Sequence, residues 1–232
     1  MTVRPITFGD EGQVASRELL RRFDALGPAA PKSLRAQLAT LESLDRQYGG
    51  SATLELEDVD ELVASTITEL AGPISGSDSH IRKWESDPDL AVDLLLGVAL
   101  WAIRHAVPLT VVEPVVNALA ERSNHARSKA ELAAVYGLMQ GVIAHVRDRL
   151  KADLERSNPE RPWRLLHANF AITAIRTEDP ELIDFAFDAL DEALPDERTN
   201  FYAEALALAL SPRIPAAVRE RIETRHLKWA SQ

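Results

Sequence analysis

Six histidines, at positions 80, 105, 125, 145, 167 and 226, are the residues best suited to acid–base or metal chemistry. No two of them stand four apart, and no H-E-x-x-H occurs, so a helix-borne zinc site has no ligand pair to start from. The pair of Glu-x-x-His motifs that feeds a di-iron bundle is missing as well. Cysteine is absent, which removes thiol nucleophiles, disulfides, Cys-ligated zinc and iron–sulfur clusters together. Acids cluster at Glu55, Glu57, Asp58, Asp60 and Glu61. Carboxylates in such numbers suit hard cations, but the spacing lacks the glycine of an EF-hand loop. The first turn of a helix, where acids meet the positive end of the dipole, accounts for them. Asp87 and Asp89, on either side of Pro88, read as a cap and first turn.

Ser75-Gly76-Ser77-Asp78-Ser79-His80 gathers serines, an acid and a histidine, yet neighbours in sequence rarely reach triad geometry. There is no G-x-S-x-G elbow, and neither G-x-G-x-x-G nor G-x-x-x-x-G-K is present. The sequence therefore supplies no catalytic residue, no cofactor site and no metal site. His105 falls at a helix end, where the dipole favours a cation. His167 follows Trp163 by one turn and precedes Phe170 and Ala171, which sets it near an apolar face, and a buried histidine there is expected to bond a carbonyl or carboxylate. Gly137 and Gly141 lie one turn apart inside a long helical pattern. Two such glycines predict a neighbouring helix packed closely against them. Near the end, Arg213, Arg219, Arg221, Arg225 and Lys228 stand against Glu220 and Glu223, with Trp229 after them. That face reads either as a solvated helix or as a hook for an acidic partner.

Helical periodicity positions nearly all of these residues. The spacing predicts helices over about 10–26, 31–48, 57–71, 88–106, 113–122, 128–156, 161–177, 180–194, 197–210 and 214–229, with a further short one around Ile81 and Trp84. Gly27-Pro28, Gly49-Gly50, Gly72-Pro73, Asp179-Pro180, Pro195-Asp196 and Ser211-Pro212 punctuate them. The segment 88–106 is apolar nearly all round, which predicts a helix in the middle of a bundle. Only Val3, Ile6 and Phe8 alternate as a strand would. The expected fold is all-α: an irregular multi-helix bundle or a stack of antiparallel α-hairpins of HEAT or tetratricopeptide type, with about nine or ten helices. One domain over 1–232 is expected, with sub-boundaries at 72–79 and 157–160 and a C-terminal hairpin pair over 161–232.

Residues Ala168 to Glu197, ANFAITAIRTEDPELIDFAFDALDEALPDE, resemble one tetratricopeptide unit. The likeness lies in the small and apolar spacing of the first helix, the tight turn at Asp179-Pro180, and the ending Phe185, Ala189, Leu190, Pro195. The sequence departs from the pattern where a glycine belongs in the first helix, near Phe170, and adjoining pairs do not repeat it at 34 residues. The resemblance implies a concave face on the first helix, with Arg164 and His167 turned into a groove and Trp163 beside them, a set able to bind a partner protein.

Charge narrows the partners. Acids number 36 against 26 bases, a net −10, which opposes attraction to nucleic acid and to anionic lipid. The acids crowd residues 51–93, where 11 of them face 2 bases. Residues 117–167 run the other way, with 9 bases to 6 acids. The longest apolar stretch, Leu94 to Ile103, is half a membrane span, and the start has no apolar signal region, so a cytoplasmic protein is expected. The excess of arginine over lysine, 21 to 5, hints at a bacterial source. The reading is a non-enzymatic interaction protein, whether adaptor, chaperone-like or accessory, with association of copies left open. The alternative is an enzyme or small-ligand sensor that uses isolated polar residues in a bundle cavity.

Overall fold

The computed structural model describes residues 20–27, 31–48, 58–75, 89–151, 162–211 and 214–230. Of these, 86 % are helical, in ten helices, and none is in a strand. After a helical stretch over 20–25 come α1 (Lys32–Tyr48), α2 (Val59–Ser75), α3 (Asp89–Arg104), α4 (Glu113–His125) and α5 (Lys129–Lys151). α6 (Pro162–Thr177), α7 (Pro180–Ala193), α8 (Arg198–Ala209) and α9 (Ala216–Ala230) follow. The alternation at Val3 to Phe8, the short helix at Ile81, the Asp87-Pro88 cap and the loop 76–80 lie outside the described residues. Among the described residues, no helix is long and apolar enough to cross a membrane.

The described helices gather into two compact units. One holds residues up to 124 with 144–146; the other holds 125–143 and the chain from 147. In the first, α1 packs on α2 and α2 on α3. Every third or fourth residue of α1 faces inward: Leu34, Leu38, Leu41 and then Asp45 are buried. α2 does the same with Val59, Val63, Ile67 and Leu70. Asp58 precedes it with a left-handed φ of 67°, and Asp60 and Glu61 fill its first turn, as the dipole favours. α2 runs past Gly72-Pro73 to Ser75. A proline so near the end removes one N–H from a turn that is about to finish, so it does not stop the helix where the dipeptide suggests. α3 is buried at every position from Leu90 to Ala99 and again at Trp101 and Ala102, the pattern of a central helix.

In the second unit α6 packs on α7, α8 on α9, and α9 also reaches α7. The α6–α7 turn is built from local polar chemistry. Thr177 donates its hydroxyl to the Ala174 carbonyl at 2.6 Å and accepts the Asp179 N–H at 3.1 Å. Asp179 caps α7 by accepting the N–H groups of Glu181 and Leu182, and Pro180 sits in the first turn, where its missing N–H costs nothing. α5 buries Leu132, Val135, Tyr136, Met139, Val142 and Val146. The expected close neighbour at Gly137 and Gly141 is absent among the described residues: a Cβ on either would meet nothing within 4 Å.

Candidate functional site

α6 has two apolar faces, and each has a different use. Trp163, Leu166, His167, Phe170, Ala171 and Ala174 are buried inside the unit. Arg164, Ala168, Ile172 and Ile175 instead line a groove of about 470 Å³. α8 is two-faced in the same way. Tyr202 and Ala209 are buried, while Phe201, Ala205 and Leu208 face the groove. Leu190 and Leu194 make the floor, and Ile214 and Ile222 close the end toward α9. The rim is exposed apolar surface, with Ile172 at 45 % and Leu208 at 76 % of full exposure. Polar groups are few. Arg164 pairs with Glu197 across the two walls, and Arg176, Asn200 and Glu204 complete the lining.

The α8–α9 wall is held by a ladder of charges. α7 presents Asp184, Asp188 and Asp191 at helical spacing, and α9 answers with Arg221, Arg225 and Trp229. Arg221 pairs with Asp184. Arg225 reaches Asp188 at 2.6 Å and Asp191 at 2.7 Å. The Trp229 indole N–H donates to Asp191 at 3.0 Å, and the Tyr202 hydroxyl donates to it at 2.9 Å. Burial, reinforced by the Asp191 charge, pushes the Tyr202 hydroxyl well above the usual phenol range. Burial works against the Arg225 charge, but its bonds to Asp188 and Asp191 outweigh it and raise the guanidinium above its ordinary value. Arg198 stacks on Trp229, its guanidinium carbon 3.5 Å from the ring centre. Arg221 and Arg225, read from sequence as solvated or as a hook for another molecule, are engaged within the unit.

Of the three residues singled out for partner binding, the structure brings only Arg164 to the groove. Trp163 and His167 are 5 % and 3 % exposed, with rings 4.3 Å apart, edge to face. Among the described residues neither ring nitrogen of His167 finds a hydrogen-bond partner, against the expectation of a carbonyl or carboxylate. Burial, then the Arg147 charge, push its pKa down to about 4, so the imidazole is neutral at pH 7.

The first unit holds a polar cluster that sequence reading missed. Asp45, from the last turns of α1, lies 2.8 Å from His105 Nε2 and accepts from Arg104 at 2.8 Å. An Asp–His contact is half of a nucleophilic triad, but both side chains are 0 % exposed and no substrate reaches the imidazole. On α3, Asp93 accepts from Arg22 at 2.8 Å and lies 3.6 Å from Arg122. Burial raises the Asp93 carboxyl above its ordinary value, and the two arginines only partly offset it. The signal for both clusters was faint: one acid at a core-facing position of each amphipathic pattern. Among the described residues no three His, Asp or Glu side chains are grouped to hold a metal ion. No protein-family model, no curated protein and no solved structure matches this chain.

Proposed function

We propose that this chain is a non-enzymatic interaction protein that takes apolar side chains of another protein into the groove between α6 and α8. The observation that carries the reading is the second apolar face on each of those helices. Ile172 and Leu208 are large, exposed and directed to a shared concavity, and exposed apolar surface of this kind marks binding surfaces. The polar groups of the lining are few, and two of them, Arg164 and Glu197, are paired with each other. A groove of this volume also suits a small apolar ligand, which is the second reading.

The test is affinity capture from the native host with the intact chain and with Ile172→Asp and Leu208→Asp, both exposed positions. Loss of the same captured proteins in both variants, at unchanged melting temperature, supports docking in the groove. Capture that is indifferent to both changes removes the groove from the function. Retention of an extractable small molecule by the intact chain alone favours the second reading.

A further inference from the structure

The charges around the groove narrow what it holds. Its two walls differ in sign: α6 contributes Arg164 and Arg176, and the other wall contributes Glu197, the residue just before α8, and Glu204 on α8. Arg164 and Glu197 already satisfy each other. Glu204 is exposed and pairs with no base among the described residues. Beyond the groove the surplus runs the same way, with 12 acids against 7 bases over residues 162–211 and 214–230. Three of those bases are engaged inside the unit, Arg221 and Arg225 with the aspartates of α7 and Arg198 with the Trp229 ring, while Arg176 belongs to the α6 wall. An approaching molecule therefore meets an apolar trough with arginines on its α6 wall and, on its α8 side, the Glu204 carboxylate, which pairs with no base among the described residues. From Arg164 to Arg176 the α6 wall extends about 18 Å at 1.5 Å per residue, three to four turns of a bound helix.

We infer that the groove takes an amphipathic helix of another protein, one whose apolar stripe is edged by lysine or arginine on the side that meets Glu204. This rests on the docking reading and adds the chemistry of the partner. Apolar anchors at i, i+3, i+4 and i+7 fill the trough, while the basic edge speeds encounter with the acidic surface and sets which way the helix lies. A second copy of this chain is the poorer occupant. The most exposed large apolar residue described is Leu208 on α8, and seating α8 of one copy on α8 of another about a twofold axis brings like-charged Glu204 side chains together.

The test uses the full chain and two synthetic helical peptides of about 18 residues, some five turns. Both carry the same leucine stripe; one has lysine edges and the other glutamate edges. Binding is read by fluorescence anisotropy, with circular dichroism confirming that every variant is folded. The lysine-edged peptide binds about threefold tighter, as one exposed charge pair with Glu204 gives. That gap narrows from about 0.1 M to 0.5 M salt as screening shortens. Glu204→Lys reverses the preference, and Leu208→Asp abolishes binding of both peptides. Equal binding that Leu208→Asp still abolishes leaves the docking reading standing and overturns the basic edge. Binding of neither peptide, or binding indifferent to Leu208→Asp, overturns both. A dimer in sedimentation that Leu208→Asp dissociates overturns the inference in favour of a second copy.

Discussion

His167 is a buried imidazole with no hydrogen-bond partner among the described residues, and that has a measurable sign. Folding lowers its pKa from 6.5 to about 4, so the unfolded chain takes up a proton that the folded chain refuses. Stability is therefore full above pH 6.5 and falls as the pH drops from about 6.5 toward 4, by up to about 3 kcal/mol for this one group. Denaturant melts of the intact chain and of His167→Leu, taken across that range, should diverge as the pH falls from about 6.5 toward 4. A constant difference would mean that the imidazole is paired. Gly137 and Gly141 offer the opposite case, a weakness easily repaired. Since a Cβ at either meets nothing, Gly137→Ala and Gly141→Ala should each stabilise the chain by about 0.5–1 kcal/mol through the helical cost of glycine. A loss of stability in thermal melts would reveal a neighbour that the geometry does not show.

Between elements, the α7–α9 ladder concentrates its strength at one rung. Arg225 is 15 % exposed and Asp191 10 %, while Arg221 and Asp184 are 35 % and 45 % exposed. Arg225→Ala strips a largely buried carboxylate of its cation and should cost about 2 kcal/mol. Arg221→Ala removes a solvated pair and should cost under about 1 kcal/mol. Chemical denaturation of the two variants checks the ranking, and equal costs would refute it. The ladder also shows where sequence reading stops. Helix spans such as Lys32–Tyr48 and Pro180–Ala193 were legible because burial every third or fourth residue and a proline or aspartate at the border are local signals. That Arg225 answers Asp191, 34 positions earlier, is a fact of tertiary packing, and the intervening chain carries no trace of it. The groove was half legible for the same reason. Arg164 lies on its wall, but Ile172 and Leu208 look in sequence like ordinary core positions. Only the placement of their helices shows that one apolar face of each is left uncovered.

On the scale of the whole molecule, the burial of α3 raises the question of what fixes its orientation. A cylinder that is apolar all round fits its surroundings about equally well after a small turn about its axis, so shape alone leaves near-degenerate packings. Asp93 breaks that degeneracy, because only one rotation brings its carboxylate to Arg22 and Arg122. On this view the triad contributes uniqueness more than stability. Asp93→Leu alone takes the buried carboxylate away from two largely buried arginines and should cost about 3–5 kcal/mol. The triple change Asp93→Leu, Arg22→Met, Arg122→Met should restore the melting temperature, while amide resonances of the first unit broaden and lose dispersion. Sharp, dispersed spectra in that triple variant would show that the hydrocarbon surface alone chooses the angle. If the resonances blur instead, one carboxylate acts as the key that stops the most hydrophobic helix of the chain from turning in its socket.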